Sequence, residues 1–111
     1  MGYFEETAFR GVTGTIHRFE VHDARAGFRD VGAVYVFARR NPSPAGGEVF
    51  LPLYVGQTAE LGKQIRGHER WPCVEAAGCT SICVMAVADE ERRREIEADL
   101  LGAYVTPCNE R

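Results

Sequence analysis

The sequence predicts one compact α+β domain, and three features carry that prediction. Two β-forming runs, 32–38 and 49–55, flank a Pro/Gly-rich breaker segment and read as an antiparallel hairpin with a long tip. The second run continues as Leu53-Tyr54-Val55-Gly56-Gln57-Thr58, where a strand passes into a helix. Near the C-terminus Ile96, Leu100 and Tyr104 recur every four residues, the stripe of a packed helix.

With 111 residues, 45% of them hydrophobic and 26% charged, the chain suits one domain with a modest core. No apolar run approaches the roughly 18 residues of a membrane span, and the start Met1-Gly2-Tyr3-Phe4-Glu5-Glu6 lacks the regions of a signal peptide. The expectation is a soluble cytoplasmic protein without membrane contact. Cys73, Cys79, Cys83 and Cys108 do not follow zinc-knuckle spacing, and without a secretory signal they read as free thiols. A net charge of -3 does not announce a nucleic-acid binder, because neutralising phosphates takes clustered cations. Arg39-Arg40, Lys63, Arg66, Arg70 and Arg92-Arg93-Arg94 all follow residue 38, so one basic face is compatible with the sequence, the plainer reading of the triplet being a solvated charge run.

Residues 1–31 read as an N-terminal arm carrying an extra strand, ahead of the main unit at 32–111. Phe19 and Val21 alternate with polar neighbours, as in a half-exposed strand, and His17 and His22 read as surface histidines rather than metal ligands. After a polar turn at 23–30, Gly32-Ala33-Val34-Tyr35-Val36-Phe37-Ala38 is apolar enough for a central strand covered on both faces. Pro52 cannot donate to a ladder and marks a bulge or an edge in the next strand. Thr58 is placed to cap a helix running to His68, with Leu61 and Ile65 packed and Gln64 and His68 on one face near Tyr54; Gly62 and Gly67 each cost it about 1 kcal/mol. Pro72 and Gly78 bracket a short helix, 80–88 reads as a third strand, and Asp89 caps the last helix with Glu90 and Glu91 in its first turn.

Ala33-Val34-Tyr35 on one strand, Tyr54-Val55-Gly56 on the next, His68 on the first helix, Glu97 on the last and Asn109 beyond Pro107 together resemble the GIY-YIG nuclease superfamily, over about residues 32–109. The resemblance implies a small antiparallel three-stranded sheet flanked by helices and a single-metal phosphodiesterase site acting on DNA. Tyr35 and Tyr54 are then expected near the attacking water. A lone tyrosine with a pKa near 10 is a poor base at neutral pH, so His68 would take or share its proton. Glu97 would hold Mg²⁺ or Mn²⁺, Asn109 would orient the substrate or the site, and Gly56, Lys63 and Arg66 would lie against the substrate. Tyr35, Tyr54, Gln64, His68 and Glu97 are expected to line one shallow cleft. The readings that compete are Tyr35 as plain core and Glu97 as the i+4 ion-pair partner of Arg93.

The departures are as informative. The family's helix arginine, eight residues after the motif glycine, is Gln64 here, and Arg66 points roughly 200° around the helix from it. A lysine that follows the glycine in some members is Gln57, the first motif begins with Ala33, and the interval from Tyr35 to Tyr54 is long. Losing such an electrostatic clamp typically costs about 10²–10³ in rate. Two functions therefore follow from the resemblance: a weak or altered metal-dependent endonuclease, or a catalytically silent module that binds nucleic acid or a protein partner on the same fold.

Overall fold

The computed structural model describes residues 5–109. In chain order these form β1 (Glu5–Arg10), β2 (Ile16–Asp23), β3 (Ala33–Pro42), β4 (Glu48–Thr58), α1 (Leu61–Ile65), α2 (Trp71–Ala76), β5 (Ser81–Ala86) and α3 (Glu90–Ala103). The strands make one five-stranded sheet in the order β1-β2-β5-β3-β4, every neighbouring pair antiparallel.

β3 lies between β5 and β4 and has helices on both faces, which is why its sequence shows no alternation. Ala33 through Ala38 are each at most 1% exposed. Ala33, Tyr35 and Phe37 share a core with Leu61 and Ile65 of α1 and Val74 of α2. Val34, Val36 and Ala38 share the other with Ile96 and Leu100 of α3, together with Phe9 and Phe19. Each large side chain buried this way contributes about 1.5–3 kcal/mol. Register slips between Phe37 and Ala38 because β4 carries an extra residue between Tyr54 and Pro52, so Pro52 sits at a bulge on an edge strand.

The sheet has five strands where the resemblance implied three. Residues 5–23, expected in part to be a loose arm, form a hairpin from β1 to β2, and β2 docks on β5. Phe9 meets Phe19 edge to face at 5.5 Å and Tyr104 at 5.9 Å, which ties the hairpin to the α3 side of the core. His17 is not a surface residue. It is buried, and its Nε2 lies 2.7 Å from the Asp99 carboxylate, which also accepts from the Thr13 backbone N–H (2.9 Å) and hydroxyl (3.0 Å). A Cβ at Gly11 would collide with that same carboxylate.

The first helix is also shorter than its pattern suggests. Thr58 accepts from the Glu60 N–H in a turn and does not cap the helix. The exposed N–H groups of α1 are satisfied from the preceding loop instead: Leu61 donates to the Val31 carbonyl, Gly62 to that of Arg29, and Lys63 to the Asp30 carboxylate at 2.7 Å. By contrast α2 has Pro72 in its first turn, and Asp89 caps α3 by accepting from the Arg92 N–H.

Cys73 and Cys108 are not free thiols. They form a disulfide between α2 and the segment after α3. Spacing rules look for close pairs, whereas these two meet because the fold brings residues 35 positions apart together. Cys79 and Cys83 are free, and burial pushes the Cys83 thiol up to about 12. Among the described residues no helix is long and apolar enough to cross a membrane.

Candidate active site

Pairing of β3 with β4 sets Tyr35 opposite Gly56 and Phe37 opposite Tyr54. A Cβ at Gly56 would come within 2.6 Å of both Cζ and the hydroxyl of Tyr35 and within 2.9 Å of Cε1 of Tyr54. Glycine is therefore what lets both phenols occupy the space above that strand position. Their rings stack with centroids 6.1 Å apart.

His68 follows α1 in the turn leading to α2, and its imidazole meets Tyr35, Phe37 and Tyr54 edge-on at 5.7, 5.0 and 5.1 Å. Trp71 stacks on Phe37 at 4.8 Å and is anchored by its indole N–H, which donates to the Ile65 carbonyl. The histidine ring is held at both nitrogens. Its Nδ1 accepts the Arg70 backbone N–H at 3.0 Å, and its Nε2 lies 2.8 Å from the Tyr35 hydroxyl. A neutral imidazole that accepts at Nδ1 carries its hydrogen on Nε2, so His68 donates to the Tyr35 oxygen. Burial lowers the His68 pKa, which keeps the ring neutral.

Tyr35 is 1% exposed, and burial, then Tyr54, raise its pKa well beyond the ordinary phenol range. Tyr54 is half-buried; burial raises it too, whereas its hydrogen-bonding interaction with Tyr35 lowers it. Two hydrogen bonds thus run in one direction, Arg70 N–H to His68 and His68 to Tyr35, and Tyr54 stacks beside the Tyr35 ring within electrostatic reach of its hydroxyl. Of the two phenols Tyr54 is the better placed to ionise. Gln64 interacts with the Tyr35 hydroxyl from α1 and eases it downward.

Glu97 lies on α3, which packs against edge strand β4, and its carboxylate raises both tyrosines. Burial raises Glu97 itself, with Arg94 opposing. Its sequence neighbours do not neutralise it by direct pairing. Arg94 pairs with Glu90 at 2.7 Å, and Arg93 turns inward to Gln57 (2.9 Å) and the carbonyls of Val87 and Ala88. The ion pair of Glu97 with Arg93 is therefore not formed. A half-buried carboxylate without a hydrogen bond or ion pair among the described residues is a fit donor for a hard cation. Nowhere among the described residues do three His, Cys, Asp or Glu side chains converge, so Glu97 stands as a single carboxylate.

Asn109 acts on the site from behind. Its side-chain oxygen accepts the Val55 N–H at 2.9 Å and its amide donates to the Val55 carbonyl at 3.0 Å, so both ends serve the strand between Tyr54 and Gly56. Lys63 and Arg66 are exposed on and just after α1, and Lys63 pairs loosely with Glu60 at 3.4 Å. The structure thus groups Tyr35, Tyr54, Gln64, His68 and Glu97, with Gly56 beneath and Asn109 as a strap; Tyr35 and His68 are buried in that group instead of lining a cleft surface. Sequence reasoning missed Trp71 and Phe37 as walls of the site and Arg93 as the partner of Gln57. The lone tryptophan, three residues after His68, was the available signal for the first of these. Compared with family models, curated proteins and solved structures, the chain matches none.

Proposed function

We propose that the chain is a GIY-YIG-like, divalent-metal-dependent phosphodiesterase domain acting on DNA, with Tyr54 as the group that meets the attacking water. The observation that carries this reading is the directed pair of hydrogen bonds from the Arg70 N–H through His68 to Tyr35, with Tyr54 stacked on Tyr35 and Glu97, which has no hydrogen bond or ion pair among the described residues, within electrostatic reach of both phenols. Two apolar core tyrosines would need no such arrangement, since a buried hydroxyl is satisfied by one partner.

In this reading His68 is a positioning residue: its Nε2–H holds the Tyr35 oxygen and stabilises negative charge that spreads back from Tyr54. Tyr54 acts as its phenolate, whose charge the Tyr35 hydroxyl shares before the step; taking the proton of water at the scissile phosphate leaves Tyr54 neutral and passes the negative charge to the hydroxide that attacks phosphorus. Glu97 would hold Mg²⁺, which when bound supplies an acidified water and a countercharge for the phosphate oxygens. Gln64 supplies a neutral donor where an arginine would supply a charged fork, which predicts a slow enzyme.

Cleavage of plasmid and branched DNA in Mg²⁺, by the wild-type protein and by Glu97→Ala and Tyr54→Phe, tests this. Metal-dependent cutting should fall about 10²-fold or more in either variant. Cutting that persists equally in both would refute the assignment. The alternative, a silent binding module on the same fold, is favoured by Gln64 and by the net charge of -3.

A further inference from the structure

A cavity of about 540 Å³ adjoins the candidate site and shares Trp71 with it, its other walls being Ala24, Arg25, Glu75 and Cys79. Resting on the phosphodiesterase reading, we infer that this cavity receives one unpaired purine base of the substrate, stacked on Trp71, which makes the substrate a branched or single-stranded nucleic acid.

The indole is a prepared platform. One face lies on Phe37 at 4.8 Å and the N–H is fixed on the Ile65 carbonyl, so little rotational freedom remains to be lost when a base stacks on the ring. Phe37 is in turn 5.0 Å from His68 and 5.8 Å from Tyr54, which puts the platform one ring away from the proposed reacting centre. Glu75 stands one helical turn along α2 from Trp71 and is exposed. A carboxylate accepts paired N–H groups, and among bases the N1–H and N2–H₂ edge of guanine offers them. Arg25, whose side chain is 94% exposed and only loosely paired with Asp23 at 3.7 Å, supplies a cation that can turn to the attached phosphate. Burial raises the Cys79 pKa, so the thiol wall is neutral and apolar. A base inside a continuous duplex cannot reach such a cavity without leaving the stack.

Trp71 is the only tryptophan, so tryptophan fluorescence reports on the cavity and on the candidate site it also borders, and the variants below tell the two apart. We expect guanosine monophosphate, without metal, to quench it saturably, and ribose 5-phosphate not to. Trp71→Leu would disturb the core, so the test variant is the surface pair Arg25→Ala with Glu75→Ala, in which the Kd should rise at least fivefold. Quenching that never saturates, or is unchanged in that variant, would overturn the proposal. Glu97→Ala separates it from the catalytic reading: the base site predicts quenching unchanged there, whatever happens to cleavage. Saturable quenching in a protein that cuts nothing would retain the site and remove the nuclease, whereas metal-dependent cutting without quenching would do the reverse.

Discussion

The Tyr35 hydroxyl lies 2.8 Å from Nε2 of His68, a nitrogen that can only be donating because the Arg70 N–H occupies the lone pair of the other. This reverses the role expected for the histidine, from a base that removes the tyrosine proton to a donor that steadies the oxygen left behind. It also makes His68 pH-sensitive in a definite direction.

The folded His68 has its pKa lowered by burial, beneath the ordinary value near 6.5. On acidification the unfolded chain therefore takes up the proton first. The stability that His68 contributes is complete above about pH 6.5 and is lost as pH falls through the folded value. Thermal melting of the wild type and His68→Gln should show a gap that narrows from about pH 8 to pH 5. Nitrogen NMR of the imidazole at neutral pH should find the hydrogen on Nε2; a hydrogen on Nδ1 would contradict the assigned direction of the chain.

Asp99 gives a second pH signature. The His17 bond first, then the Thr13 N–H, hold its carboxyl below the usual range. A depressed carboxylate contributes stability above its unfolded value near 4 and loses it as pH falls through the folded one. Asp99→Asn should melt lower than the wild type at neutral pH, and the difference should close in acid. Because Asp99 ties the β1–β2 turn to α3, hydrogen exchange at Thr13 should accelerate in the variant. A pH-independent difference would show that the carboxylate charge is not what matters there.

Gly56→Ala tests the packing of the two phenols. The added methyl meets Tyr35 at 2.6 Å and Tyr54 at 2.9 Å, and neither ring has a flexible end to give way. Overpacking of this kind costs about 1–3 kcal/mol, and the displaced rings should also lose cleavage. Calorimetry and a cleavage assay on one preparation would check both; a variant as stable and as active as the wild type would show that the rings have room.

The Cys73–Cys108 bond closes a loop spanning 35 positions. In the chain-entropy account its removal costs about 4 kcal/mol. Cys73→Ser with Cys108→Ser should lower Tm accordingly, and unfolded wild-type protein should offer two thiols to a thiol reagent before reduction, from Cys79 and Cys83. Four reactive thiols at that step would remove the disulfide.

What the sequence disclosed and what it hid divide by distance along the chain. β3 and β4, the bulge at Pro52, the Pro72 start of α2 and the Asp89 cap of α3 rest on neighbouring residues and were legible. The burial of His17 depends on Asp99, 82 positions away, and the start of α1 on Asp30, 33 positions before Lys63. Neither leaves a local trace. β1 hid for another reason: Phe9 is its only buried large side chain, too little to show a strand pattern. In the site, the order of Tyr35, Tyr54, His68 and Glu97 was readable, but the direction of the hydrogen bonds was not, because it is set by the backbone of Arg70.

Gln64→Arg bears most directly on the central claim, that this constellation is a phosphodiesterase site weakened at one position. An arginine there would present a charged fork to a phosphate oxygen that gains charge during attack. Mg²⁺-dependent cleavage of branched DNA should rise by about an order of magnitude or more in Gln64→Arg, and the gain should vanish when Glu97→Ala is added. If Gln64→Arg binds DNA more tightly yet cuts no faster than the double variant, the added charge has improved binding alone and the catalytic account is contradicted.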